Sequence, residues 1–156
     1  MGKNKRELTL RFLAEPMDVN FGGKVHGGIV MKWIDQAGYA CATHWSGSYC
    51  VTVYVGGIRF LQPIMIGSLV EVQAKVIYTG RSSMHISVDV WACDPKEDDM
   101  IKTTHCIIIF VAVDDLGKSK ETPSWVPVTK DDEDLETYAR RLMDLRTGIK
   151  KEMEGR

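Results

Sequence analysis

The sequence of 156 residues lacks a long uninterrupted apolar run, an excess of one charge and any closely spaced pair of cysteines. Its longest apolar stretch, residues 25–43, is interrupted by Lys32 and Asp35. It therefore falls short of the ~18 or more apolar residues that a membrane span requires. Residues 1–6 are basic but are not followed by an apolar run, which is not the pattern of a secretory signal peptide. We expect a soluble, cytoplasmic protein.

Charge and cysteine content exclude further classes of protein. Lys and Arg number 20 against 21 Asp and Glu, whereas nucleic-acid-binding proteins usually carry a basic excess or patch. We therefore expect no nucleic-acid partner. The cysteines form no Cys-x-x-Cys pair, which favours free structural thiols in a reducing compartment. They are Cys41, Cys50, Cys93 and Cys106.

The order of hydrophobic patterns predicts one domain, as is usual for a chain of this length. Residues 7–13 predict a first strand. Residues from 29 to about 45 predict a helix that is apolar on nearly every side, which is typical of a buried helix. Four more strands are predicted at 50–60, 69–79, 83–92 and 101–114. The last is apolar enough to lie centrally in a sheet, covered on both faces.

A charged, amphipathic helix is predicted after residue 128. Thr129 and Asp132 resemble a capping box at its start, and an apolar stripe along it supports docking onto another surface. The stripe consists of Leu135, Tyr138, Leu142, Leu145 and Ile149. Short turns between the strands favour antiparallel pairing. We therefore predict an α+β hotdog fold, in which a curved five-stranded sheet wraps one long helix over residues 1–128. Residues 129–156 would pack on this domain or extend it.

Asp35 is the most informative candidate for chemistry, because it lies two turns inside the apolar helix. Burying an unpaired carboxylate is costly. Asp35 is therefore a general base that activates water, a hydrogen-bonded structural acid, or an acid exposed on a polar strip with Lys32 and Gln36.

Two glycines, Gly27 and Gly28, precede this helix. Free backbone N–H groups at a helix N-terminus bind a carbonyl oxygen or the oxyanion that it becomes. A plain glycine turn is the alternative interpretation of the pair.

Several segments together resemble a known family. Residues 20–28 (NFGGKVHGG) and 31–38 (MKWIDQAG) resemble the signature of acyl-CoA thioester hydrolases of the hotdog superfamily, including the brain-type cytosolic enzymes. Residues 60–67 and 78–83 match the later strands of that family in order and spacing. The resemblance extends from about residue 8 to residue 127.

The resemblance implies hydrolysis of fatty acyl-CoA at a site between two subunits. Asp35 would be the base, Asn20 would hold water or substrate, and the Gly28 N–H would polarise the thioester carbonyl. The family implies a homo-oligomer with a dimer as its minimal unit, commonly a trimer of dimers. It implies no metal and no redox cofactor, since coenzyme A is part of the substrate. Gly56 departs from the acidic residue that the family often has there, so acyl preference could differ.

The expected substrate-binding residues are His26, Gly27, Gly80, Arg81, Ser82 and Ser83. The turn at residues 80–83 either binds CoA phosphates through its guanidinium and hydroxyls or is a solvated hairpin turn. His26 is assigned to loop packing, with a direct role left open because His titrates near neutral pH. Two alternatives to the hydrolase are a hotdog hydratase or dehydratase, for which His26 is the only candidate histidine, and a non-catalytic acyl-CoA-binding protein.

Overall fold

The computed structural model describes residues 5–156. Residues 1–4, the start of the basic N-terminal segment, lie outside the described residues. The elements in chain order are β1 (Glu7–Leu13), α1 (Gly27–Ser46), β2 (Cys50–Phe60), β3 (Leu69–Thr79), β4 (Ser83–Cys93), β5 (Ile101–Ala112) and α2 (Lys130–Glu154). A short 3-10 turn occupies Pro16–Asp18. No helix in the described part of the chain is long and apolar enough to cross a membrane.

The predicted order of elements is confirmed, with small differences at the ends of some elements. Helix α1 begins at Gly27 rather than at residue 29. Strand β5 ends at Ala112 rather than at residue 114, because the Asp114 carbonyl accepts the Gly117 N–H and closes a turn there.

The five strands form one antiparallel sheet in the order β1-β3-β4-β5-β2. The prediction that β5 is an interior strand covered on both faces is confirmed, since it pairs with β4 on one side and β2 on the other and is buried along most of its length, although β4 occupies the middle of the order. Helix α1 packs across the sheet and contacts all five strands. Gly38 allows a close approach, since a Cβ at that position would lie 2.8 Å from the Phe110 ring. This packing confirms the hotdog architecture of one sheet around one helix.

One face of α1 is open in the single chain. The residues that point away from the sheet are exposed, namely Lys32, Asp35, Gln36 and Tyr39. The expectation of burial on nearly every side was therefore wrong for this face. The sheet of one chain covers only the side of α1 that packs on it.

Helix α2 docks on the opposite, outer face of the sheet. Its predicted capping box is present, since the Asp132 N–H donates to Thr129 Oγ1 at 3.0 Å and the Thr129 N–H donates to Asp132 Oδ2 at 3.2 Å. An ion pair of 2.5 Å joins Asp132 to Arg6, next to β1. The fully buried Ala139 packs with Ile77 and Ile107 of the sheet. These contacts attach the first half of α2 firmly to the sheet.

The four cysteines are free, as predicted. Burial raises the pKa of the Cys41 and Cys106 thiols to about 12. Because the thiolate is the reactive form, these two side chains behave as small apolar core residues.

Candidate functional site

Asp35 lies on the open face of α1 and is held by a neighbour from the sheet. Its Oδ1 accepts a hydrogen bond of 2.9 Å from the hydroxyl of Thr52 in β2. Both side chains are exposed, so the structure supports the polar-strip interpretation of Asp35 in the single chain. A carboxylate fixed by a hydroxyl and open to solvent on one side is a suitable base for a bound water.

Thr52 is a functional candidate that the sequence interpretation missed. It is one polar side chain in the strand β2, opposite Phe110 of β5. The alternation of β2 predicts which face Thr52 occupies. Only the docking of α1 on the sheet reveals that its hydroxyl reaches Asp35.

Asn20 shapes the loop that precedes α1. Its side-chain Oδ1 accepts the backbone N–H groups of Gly22 at 2.8 Å and Lys24 at 3.1 Å. The loop is tied to the body of the protein because the His26 N–H donates to the Asp18 carbonyl at 2.7 Å. The side-chain oxygen of Asn20 is thus engaged within the loop. The side-chain N–H groups remain as donors to a substrate or water.

His26 is the N-cap of α1 rather than a packed loop residue. Its Nδ1 accepts the Gly28 N–H at 2.9 Å, and its side chain is exposed. The expectation that both glycine amides are uncovered was therefore wrong for Gly28. The Gly27 N–H has no acceptor among residues 5–156. Gly27 borders a groove of about 310 Å³ that is also lined by Val25 and Phe60.

The candidate residues form two groups that do not meet within one chain. Asn20, His26, Gly27 and Gly28 lie at the front of α1. Asp35 lies eight residues after Gly27, which is about 12 Å along a helix axis. Reacting atoms must approach to roughly 3–3.5 Å. A single chain therefore cannot bring its own oxyanion donors and its own Asp35 to one thioester.

The turn at residues 80–83 lies at the Thr52 end of the sheet. Met84 and Thr52 both pair with Phe110, so the turn is two strand spacings from Thr52, or about 10 Å. Its carbonyls are engaged, since those of Arg81, Ser82 and Ser83 accept N–H groups from Thr122, Ala112 and Gly80 at 2.9 Å each. The Arg81 guanidinium is exposed and the Ser82 and Ser83 side chains are partly exposed. The side chains of the turn are thus available to an anionic ligand near the Asp35–Thr52 pair.

The hydratase alternative receives no geometric support within one chain. His26 lies nine residues before Asp35, about 13 Å along the axis, so they form no His–Asp pair of the hydratase type in one chain. Within residues 5–156 there is no group of three or more His, Cys, Asp or Glu side chains placed to hold a metal ion.

Comparison with known proteins points to one family. The family model of the thioesterase superfamily matches residues 22–98. The acyl-CoA thioester hydrolase YciA of Salmonella typhimurium is 35% identical over 120 residues, covering 75% of this chain and 90% of that protein. A hexameric thioesterase from Yersinia pestis is 38% identical with a TM-score of 0.71, covering 76% of this chain and 97% of that one.

A solved acyl-CoA hydrolase from Staphylococcus aureus is similar over more of the chain. Its complex with butyryl coenzyme A and coenzyme A has a TM-score of 0.88 and 26% identity, covering 96% of this chain and 91% of that one. Three further structures of that enzyme each carry a single alanine substitution. The replaced residues are an asparagine, an aspartate 15 residues after it and a threonine 17 residues after the aspartate. Asn20, Asp35 and Thr52 have the same separations.

Proposed function

The chain belongs to the thioesterase superfamily and is an acyl-CoA thioester hydrolase, and we propose that it converts fatty acyl-CoA to a free fatty acid and coenzyme A. The Asp35–Thr52 hydrogen bond on the open face of α1 is the observation that carries this proposal. It provides an oriented carboxylate at a surface that a substrate can reach. The relatives named as acyl-CoA thioester hydrolases and the complex with butyryl coenzyme A support the choice of substrate class.

The active site is proposed to form between two copies of the chain. Strand β2 is an edge strand, so one side of its backbone is unpaired and suits pairing with another strand. Antiparallel pairing of β2 with its own copy places its first half beside the second half of the partner strand. Thr52 and Asp35 of one chain then lie near Phe60 of the other chain. Within that other chain the Phe60 ring borders Gly27. This arrangement brings together the two groups that one chain keeps about 12 Å apart.

Larger assembly is proposed on the same basis. The Yersinia relative is described as hexameric, and three dimers of this kind would give a hexamer. The composite site requires only the dimer. Residues 1–128 are proposed as the catalytic domain. Residues 129–156, which include α2, are proposed as an extension that packs on this domain.

The proposed reaction is water attack on the thioester carbonyl. The backbone N–H groups at the front of α1 bind the carbonyl oxygen, while Asn20 beside them and Asp35 of the other chain hold the water. Asp35 takes a proton as the water oxygen bonds to the carbonyl carbon, and Thr52 keeps the carboxylate oriented. The tetrahedral intermediate collapses by breaking the carbon–sulfur bond, and the coenzyme A thiolate leaves and takes up the proton. No resident cofactor takes part in these steps.

His26 determines which amide is available to the substrate. The Gly27 N–H is available without any rearrangement, whereas the Gly28 N–H is released only when the His26 side chain rotates away. An incoming carbonyl oxygen would replace His26 Nδ1 as the acceptor at Gly28. The role proposed for His26 is therefore to occupy the oxyanion site in the free enzyme.

Arg81, Ser82 and Ser83 are proposed to bind the phosphates of coenzyme A, with Gly80 allowing their turn. A Cβ on Gly80 would lie 2.6 Å from Ser83 Oγ, so a larger residue there would force the Ser83 hydroxyl to rotate away from its present position. An exposed guanidinium beside two hydroxyls is well suited to phosphate oxygens. The position at the Thr52 end of the sheet is consistent with a ligand whose thioester lies at Asp35.

The test is thiol release from a panel of acyl-CoAs by matched variants. Asp35→Asn should lower kcat by at least about 100-fold, because a positioned general base contributes roughly 10²–10⁴-fold. Thr52→Val keeps the shape but removes the hydroxyl, and it should lower kcat less than Asp35→Asn does. Asp144→Asn, an exposed acid on α2, is the control and should leave turnover unchanged. Unchanged turnover in Asp35→Asn would refute the assignment, and tight binding without thiol release by the unmodified protein would favour a non-catalytic role.

A further inference from the structure

Helix α2 crosses the outer face of the sheet from one side to the other. Near its start, Asp131 lies 4.0 Å from Lys75 of β3. At its middle, Tyr138 Oη lies 2.8 Å from His105 Nε2 of β5. Further along, the Arg146 guanidinium lies 4.6 Å from the ring centre of Tyr54 in the edge strand β2. The helix thus reaches the edge of the sheet by residue 146.

The last part of α2 continues beyond this edge. Eight residues separate Arg146 from Glu154, which is about 12 Å of helix. The apolar stripe that packs on the sheet in the first half of α2 continues here beside the edge strand β2, whose Tyr54 and Gly56 cover it only in part. Leu145 is 65% exposed, Ile149 51% and Met153 69%.

An exposed side chain of β2 joins these three. Val53 is 49% exposed and lies at a register shift in β2, where it borders a cleft of about 470 Å³ with Ile149 and Met153. We call Val53, Leu145, Ile149 and Met153 the overhang patch. It is apolar, continuous with the unpaired edge of β2, and open within residues 5–156.

We propose that the overhang patch covers a second copy of this chain and holds together the dimer formed through the β2 edges. The inference rests on the dimer of the proposed function. Paired strands are about 4.8 Å apart, so the first two strands of the partner sheet would lie within about 10 Å of β2. Because α2 crosses the strands obliquely, taking about 22 Å of helix between residues 131 and 146 to pass three strand spacings, an overhang of about 12 Å reaches over the first strand of the partner sheet. By twofold symmetry the partner's helix crosses in the opposite direction, and the two apolar stripes meet over the joined edges.

This interaction has a consequence for catalysis. Because each active site takes residues from both chains, the overhang stabilises the active site without touching the substrate. Loss of the patch should therefore lower activity by lowering the fraction of chains in the dimer, while kcat of the intact dimer stays unchanged.

The test compares two double variants of α2 in the full-length protein. Ile149→Ser with Met153→Ser removes the centre of the patch. Asp144→Ser with Lys151→Ser changes the opposite face of the same helix segment and leaves the net charge unchanged. Analytical ultracentrifugation gives the dimer dissociation constant, and thiol release is measured over a range of protein concentrations.

The patch variant should raise the dimer dissociation constant on the order of 100-fold, since each dimer loses both copies of two apolar side chains. Its specific activity should fall on dilution and recover at high protein concentration, with circular dichroism unchanged. The control variant should behave like the unmodified protein. An unchanged dissociation constant in the patch variant would overturn the inference while leaving the hydrolase and its composite site in place.

A second result would point to another occupant. If the unmodified protein sediments with phospholipid vesicles, the patch variant does not, and both have the same dissociation constant, the overhang binds a membrane surface and the inference fails. A chain that stays monomeric at all concentrations yet hydrolyses acyl-CoA would refute both the overhang interaction and the composite site.

Discussion

Complementation between two inactive variants tests the composite site directly. The first variant is Asp35→Asn. The second is Asn20→Asp, which keeps the acceptor for the Gly22 and Lys24 N–H groups and so preserves the loop, but lacks the amide donors. In a mixed dimer one site carries both substitutions, and the other site is entirely native.

The expected recovery follows from the geometry. Random association gives mixed dimers in half of all cases, and each has one native site of two, so the mixture should show about one quarter of the native activity. Asp35→Asn alone should show about 1% or less, given the contribution of a general base, and Asn20→Asp alone should also be strongly impaired because it lacks the amide donors that hold the water. If one chain supplied the whole site, no native site could form in any combination. The separation of about 12 Å between Gly27 and Asp35 excludes that arrangement.

The assay is thiol release after the two variants are co-expressed with different affinity tags and the doubly tagged species is isolated. Doubly tagged dimers should reach about half of the native activity, since each of them has one native site, and doubly tagged hexamers assembled at random should reach about one quarter. Each variant co-expressed with itself under both tags is the control and should stay inactive. Activity of the doubly tagged species no higher than that of the single variants would refute the composite site.

Two further predictions concern substrate binding and pH. Arg81→Gln should raise KM for acyl-CoA by at least about tenfold with kcat nearly unchanged, because a charge-assisted phosphate contact contributes about 1.5–3 kcal/mol to binding. An unchanged KM would show that the turn is not part of the binding site. Burial, together with the nearby Arg146 charge, lowers the pKa of His85 from 6.5 to about 4. Between pH 6.5 and pH 4 the unfolded chain therefore binds a proton at His85 and the folded chain does not. The free energy of unfolding is highest above pH 6.5 and decreases as the pH falls towards 4, by about 3 kcal/mol at most. Urea unfolding at pH 7, 5.5 and 4.5 should show this slope in the native protein and in His44→Gln but not in His85→Gln; an equal slope in all three would contradict it.

The strands were predictable because their sequences alternate on a sheet with one face against a helix. Strands β1, β2 and β3 have the predicted bounds. The glycine pair at 56–57 marks a bulge and a close approach, since Gly57 has a φ of +62° at a register shift and a Cβ on Gly56 would collide with the Tyr54 ring. The central position of β4 was not predictable, because the pairing of β1 with β3 is not encoded in any local pattern.

The candidate site was only partly predictable from sequence. Asp35 stood out as an acid in an apolar helix, and the glycines before the helix marked a candidate oxyanion site. The partner of Asp35 did not stand out, since a threonine in a strand has many ordinary roles. The His26 cap on Gly28 was missed because a histidine is an uncommon N-cap beside the usual Ser, Thr, Asp and Asn.

The sequence by itself determined the elements, the family and the identity of the acid, because these depend on local periodicity and on residues close together in the chain. The tertiary structure alone decided that Asp35 faces outward against Thr52. It also placed the end of α2 beyond the sheet. These features depend on how far apart a rigid helix and a sheet of fixed strand spacing hold their side chains, and no local pattern in the sequence records such distances.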